Sequence, residues 1–205
     1  MQKSPYYPRL DFFHGAVTPT LLLIKHFRTY RQTTEYTCGA AALWMLLNHW
    51  GITNKNELEL AEEMNIRSED NPSNGSYGCK REAIETALRN RNIDILPYKE
   101  FQTPELFATF IKHQLQNFCP VLVEWCIWGG HWNIIIGYDD MGTPSTQDDI
   151  LIMADSYDTY NHNQDGYIIV PFERFFYEWF DAGVLSPGVI RQQYVAPIKP
   201  HNTFD

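Results

Sequence analysis

The chain has 205 residues, 44% hydrophobic and 20% charged, a balance that fits one folded domain of ordinary size and excludes wholesale disorder. Asp and Glu outnumber Lys and Arg by 25 to 16, for a formal charge of −9, and Lys80-Arg81 is too small a basic cluster for a general nucleic-acid surface. The most apolar stretch, residues 121–138, is broken by Glu124, Gly129, Gly130, His131 and Asn133, and residues 1–15 carry prolines, Arg9 and Asp11 where a signal peptide needs an apolar run, so neither a membrane span nor secretion is expected.

Residues 1–20, rich in Pro and aromatics, read as an irregular surface arm. The apolar run 21–27 predicts a strand. Residues 37–50 are the clearest helix: Ala42, Leu43, Leu46, Leu47 and Trp50 recur at three- and four-residue steps, Thr37 suits the N-cap, and Gly51 ends the run. Shorter helices are expected at 56–64 and 81–89, separated by the polar, turn-rich loop 68–78. Pro104 opens a further helix over 104–116, with Leu106, Phe107, Phe110 and Ile111 facing inward. From Pro120 the period changes. Residues 120–127, 131–138, 150–155 and 166–170 read as strands, followed by a helix at 172–180 and a last strand at 191–196. Gly142-Thr143-Pro144 is a natural reversal point between two of the strands. Helices first and an antiparallel sheet after them make a single α+β domain over residues 1–205, with two lobes meeting at a cleft.

Four cysteines, scattered and without a Cys-x-x-Cys pair, are too few for a disulfide scaffold or a structural zinc site, and in the cytosol they should be reduced. Cys38 stands out among them. It lies just inside the expected N-terminus of the strongest helix, where unpaired amides and the macrodipole favour thiolate over thiol, and Gly39 and Ala40 leave the helix start open to an incoming carbonyl. The alternative on position alone is a small buried hydrophobe.

A thiolate nucleophile needs a base, and the base an orienting group. His131, after Gly129-Gly130 and at the mouth of a strand, is the best placed of the histidines; its alternative is a structural role. His49 shares the helix of Cys38 but sits about 16 Å along it. If strands 131–138 and 150–155 pair around the reversal, Asp155 falls opposite or near His131, and a shift of a few residues brings Asp158 there instead. Asp139 and Asp140 read as solvated turn residues. Gln32, six residues before Cys38, could direct its amide to the same point as the Cys38 backbone N–H and form an oxyanion hole.

The segments RQTTEYTCGAAALWMLLNHWG, GGHWNIIIGYDD and MADSYD resemble the three signature blocks of papain-like cysteine peptidases, and most closely the branch of double-glycine leader (bacteriocin-processing) peptidases and their stand-alone relatives. In that branch a Gln, five residues and then Cys-Gly open the first helix, a Gly-His begins a strand, and an Asp follows as the next strand ends. The resemblance covers about residues 29–180 and includes DGYIIVPFERFFYEWF and SNGSYGCKREAIETAL. It implies a papain-like fold, with Gln32 as oxyanion donor, Cys38 as nucleophile, His131 as general base and Asp155 as its orienter. Thr37 departs from the Asp usual before the cysteine, the transporter fused to the leader peptidases is missing, and the 139–149 connection is longer and more acidic than usual. The peptidase fold is therefore better supported than export-leader processing.

The expected function is a cytoplasmic cysteine peptidase or amidohydrolase acting on a peptide or protein through a thioester, without cofactor or metal. Two alternatives stand beside it: amine attack on the same thioester, as in the distantly similar phytochelatin synthases or in a transglutaminase-like crosslinker, and a non-catalytic peptide-binding domain with the same cleft. Trp125, Trp128 and Trp132 cluster around His131 as a cleft wall or as inward packing. Cys79 reads as a partly exposed ordinary thiol. Cys119, Cys126 and His131 match no zinc spacing. The acidic runs 57–63 and Asp148-Asp149 read as solvated faces that mildly favour basic substrates.

Overall fold

A computed structural model describes residues 11–52, 54–66, 78–181 and 190–200. Residues 1–10 of the expected arm over 1–20 and residues 68–77 of the expected loop over 68–78 lie outside the described residues. Four helices come first in the chain after a short strand: β1 (Leu21–Leu23), α1 (Cys38–His49), α2 (Glu57–Glu63), α3 (Arg81–Arg89) and α4 (Pro104–Gln116). Then follow β2 (Val121–Trp125), a 3₁₀ turn (Ile127–Gly129), β3 (His131–Asp139), β4 (Ile150–Asp155), β5 (Tyr167–Pro171), α5 (Phe172–Tyr177), β6 (Phe180–Asp181), β7 (Ile190–Arg191) and β8 (Tyr194–Val195).

The main sheet is antiparallel, in the order β5-β4-β3-β2-β8. One edge of the long β3 pairs with β4 and the other is divided, His131 to Ile135 going to β2 and Gly137 to Asp139 to β1. The register against β4 shifts between Ile135 and Gly137, so a bulge marks the handover. At Gly137 a Cβ would come within 2.9 Å of both Ile152 and Leu23, which is why glycine stands there. All of β2 and nearly all of β3 are buried, because α1 and α4 pack on β3; these central strands show no alternation, and the polar Glu124, His131 and Asn133 are buried with their apolar neighbours.

The departures from expectation share one cause: long-range pairing outranks the local pattern. The first strand stops at Leu23, and the chain turns away through His26 at φ 55. The expected last helix ends at Tyr177, so that the Trp179 ring packs 4.6 Å from Phe107 and Phe180–Asp181 can pair with Ile190–Arg191. The expected last strand is cut at Gln192, φ 53, whose side-chain amide donates to the Phe101 carbonyl and accepts from the Phe101 N–H. Its two halves thus serve different sheets, β7 pairing with β6 and β8 with β2.

Candidate active site

Cys38 is the first residue of α1 and is buried. Its approach is fixed from an unexpected direction. Thr37 makes no side-chain cap; its hydroxyl donates to Oε1 of Glu57 at 2.5 Å. The same carboxylate accepts the Thr33 N–H at 3.0 and 3.1 Å. Glu57 is only 2% exposed, so it is a buried anchor rather than part of a solvated face. Its carboxylate ties the start of α2 to the segment that leads into Cys38.

Gly39 does not leave open space. A Cβ there would meet the Cys79 Cβ at 2.6 Å and its Sγ at 2.8 Å. Cys79, expected to be partly exposed, is buried against the head of α1, and its thiol is pushed well above the ordinary range, by burial first and then by the charge of Cys38. Trp132 closes the same contact, its indole N–H donating to the Cys79 carbonyl at 2.9 Å. Trp125 and Trp132 are both buried, so these two pack inward, Trp125 stacking on Tyr160; the Trp128 side chain lies outside the described residues.

His131 opens β3 directly after Gly130, and β4 ends at Asp155. Asp155 pairs in register with Asn133, two residues beyond His131 and therefore on the same face, which makes Asp155 and His131 diagonal neighbours. The imidazole Nε2 donates to Asp155 Oδ1 at 2.6 Å, with both side chains buried. Asp158, the rival in sequence, turns elsewhere: its Oδ2 accepts the Gly166 N–H at 2.8 Å.

The three groups shift one another. Burial opposes ionisation of the Cys38 thiol, yet its hydrogen bond and charge interaction with His131, aided by the Trp132 and Gly39 amides, hold it below the ordinary thiol range. Burial likewise opposes the imidazolium, but Asp155 and the Cys38 sulfur raise His131 above the usual histidine range. Against its own burial, Asp155 is held below the usual carboxylate range by His131 and by the Tyr157 and Asp158 amides.

Gln32 joins from the other side. Its backbone N–H donates to the Ser156 carbonyl at 3.0 Å and its Oε1 accepts the Ser156 hydroxyl at 2.7 Å. The amide nitrogen donates one hydrogen to the Thr34 carbonyl at 2.7 Å and carries a second. Asp155, which His131 binds, is thus followed in the chain by Ser156, which holds Gln32. Sequence reading missed Glu57 and Ser156; the one was hidden in an acidic run and the other carries no signal without coordinates. Among the described residues no group of three or more His, Cys, Asp or Glu is arranged to hold a metal, and no helix is long and apolar enough to cross a membrane.

The sequence profile of the Peptidase C39 like family matches residues 24–183. The crystal structure of the peptidase domain of Streptococcus ComA, a bifunctional ABC transporter in a quorum-sensing pathway, superposes with a TM-score of 0.54 at 16% identity, covering 85% of this chain and 100% of that one. UfSP from C. elegans gives a TM-score of 0.54 at 12% identity, covering 88% of this chain and 34% of that one. No curated protein matches the chain in sequence.

Proposed function

Because the profile match spans residues 24–183, the chain belongs to the Peptidase C39 like family, and on that footing we propose that it is a cysteine peptidase with Cys38 as nucleophile. The observation that carries this reading is the occupancy of the His131 ring. Nε2 is bound to Asp155, so Nδ1 is the nitrogen left to take the proton of the thiol that His131 holds in reduced-pKa form.

The reaction follows from these atoms. The Cys38 thiolate attacks a peptide carbonyl carbon, forming the C–S bond and an oxyanion. The Cys38 backbone N–H, at the head of α1, and the second Gln32 amide hydrogen donate to that oxygen; one such donor contributes about 3 kcal/mol in enzymes of this kind. The tetrahedral adduct collapses as the imidazolium of His131 protonates the departing amine. His131, now neutral, deprotonates a water that attacks the thioester, and the C–S bond breaks to release the acid. Asp155 keeps the ring oriented and steadies its charge throughout. Ser156 supports the oxyanion donor by holding the oxygen end of the Gln32 amide, which fixes the direction of its N–H bonds.

The test is incubation of the protein and of Cys38→Ala with a mixed peptide library, reading products and protein-bound acyl adducts by mass spectrometry. Cleavage and a transient adduct on Cys38 in the wild type alone are expected. Equal cleavage by Cys38→Ala would overturn the assignment, and products joined to an added amine would redirect it to acyl transfer.

A further inference from the structure

Two buried carboxyls that the mechanism above does not use lie beside the catalytic residues. Glu124 in β2 is 2% exposed and Asp181 in β6 is 1% exposed. Both abut Gly130, the residue that delivers His131. Its backbone stands at φ 141, ψ 115, and a Cβ there would lie 2.9 Å from Glu124 Oε1 and 3.6 Å from Asp181 Oδ1. The other oxygen of Glu124, Oε2, accepts from the Gln193 side-chain amide, and the Glu124 N–H donates to the Gln193 carbonyl at 3.0 Å.

We propose that Glu124, as the un-ionised acid, is a positioning residue that braces the Gly130 corner beside Asp181 and keeps added negative charge away from the Cys38 sulfur. The inference rests on the Cys38–His131 pair proposed above. Two carboxylates cannot both ionise cheaply where both are buried against one corner. Since Oε2 already accepts from Gln193, the proton belongs on Oε1, on the side facing Gly130 and Asp181. From there Glu124 can donate toward Asp181, which would tie β2 to β6 across the corner that aims the imidazole.

The groups facing Glu124 pull in both directions, and those against ionisation prevail. Burial first, then the charges of Asp181 and Cys38, oppose its ionisation; the Gln193 amide and His131 favour it but are outweighed, and its pKa is pushed up to about 9. Cys79, another titratable neighbour, feels Glu124 in turn and is raised by it. Were Glu124 ionised at neutral pH, its charge would stand against the thiolate on which the attack depends.

The proposal is read without activity, by a ¹³C NMR titration of side-chain carboxyls in the wild type, with the Glu124 signal assigned by its loss in Glu124→Gln. Cys38 alkylation is measured in parallel in the wild type, Glu124→Gln and Glu124→Leu. The Glu124 carbon is expected to remain in its acid form at neutral pH and to titrate only in the alkaline range. Glutamine, which can donate to Asp181 and accept from Gln193, should keep alkylation within about twofold of the wild type, while leucine should slow it about tenfold or more, equivalent to one pH unit in thiol pKa. An ionised Glu124 at neutral pH overturns the proposal even if the leucine variant fails to fold, and so does a glutamine variant as slow as the leucine one. If alkylation proves independent of His131, the peptidase reading fails, yet the carboxyl titration still decides this one.

Discussion

Asp155 accepts the Nε2 hydrogen of His131 at 2.6 Å although the strand register sets it opposite Asn133. The bond is diagonal, and it works because His131 and Asn133 share a face while β4 ends at Asp155, so the carboxylate can turn toward the start of β3. The Tyr157 N–H, donating to the same Oδ1 at 2.8 Å, holds the carboxylate there.

Replacing that carboxylate tests its role. Asp155→Asn keeps the size but removes the charge that raises His131, so the imidazolium should be lost at lower pH. The alkaline limb of the activity profile should move toward neutrality, and kcat/KM at neutral pH should fall at least about tenfold, that is, by about 1.4 kcal/mol or more. A pH–rate profile of the folded variant checks this; an unmoved alkaline limb would contradict it.

Glu57 should matter to both fold and site. Its Oε1 accepts from both the Thr33 N–H and the Thr37 hydroxyl, so one amide oxygen could serve both donors and the anchor is tested by removing the acceptor altogether. Glu57→Ala is expected to cost about 1–3 kcal/mol in denaturant unfolding, through donors left unsatisfied in the interior. It should also slow Cys38 alkylation, because the lead-in to α1 is loosened. Unchanged values for both would mean that the anchor is incidental.

A second carboxylate should contribute to stability toward acid. Glu63 in α2 is gripped by both terminal nitrogens of Arg91 at 2.8 Å and by Lys55 at 2.8 Å. Arg91 first, with Lys55 adding to it against partial burial, lowers the Glu63 pKa to about 2. A depressed carboxylate stabilises the fold fully above its unfolded-state pKa and loses that contribution as pH falls through the folded value. With Glu63 and Arg91 side chains only 17% and 8% exposed, the contribution is on the order of 3 kcal/mol at neutral pH. The stability gap between wild type and Glu63→Gln should therefore close as pH drops from the ordinary carboxylate range toward 2. A gap that stays constant through that range would rule out this linkage.

Much of this was legible before any coordinates. The helix start at Cys38, the strand start at His131 and the strand end at Asp155 follow from local signals: apolar steps of three and four, a Gly-Gly pair, and a change of period at Pro120. Order along the chain then suggested an antiparallel sheet after the helices. The choice between Asp155 and Asp158 was not legible, because it turns on a register of the β3–β4 pair that includes a bulge at Ile136, invisible in composition. The burial of Glu57, Asp149 and Cys79 was not legible either. A carboxylate in an acidic run looks solvated until its donors, which arrive from 24 and 20 residues away for Glu57 and from Tyr138 for Asp149, are known. Gly39 was read as an opening when it marks a contact: glycine there serves close packing against Cys79.

The account turns on Cys38 and His131 acting as one ionised pair, and the most direct measurement is the rate of iodoacetamide alkylation at Cys38 across pH, followed on the Cys38 peptide by mass spectrometry, in the wild type and in His131→Ala. The thiol is expected to react as thiolate well below the ordinary cysteine range in the wild type, and to return to that range or above it, through burial alone, once the imidazole is gone. Superimposable profiles for the two proteins would contradict the account.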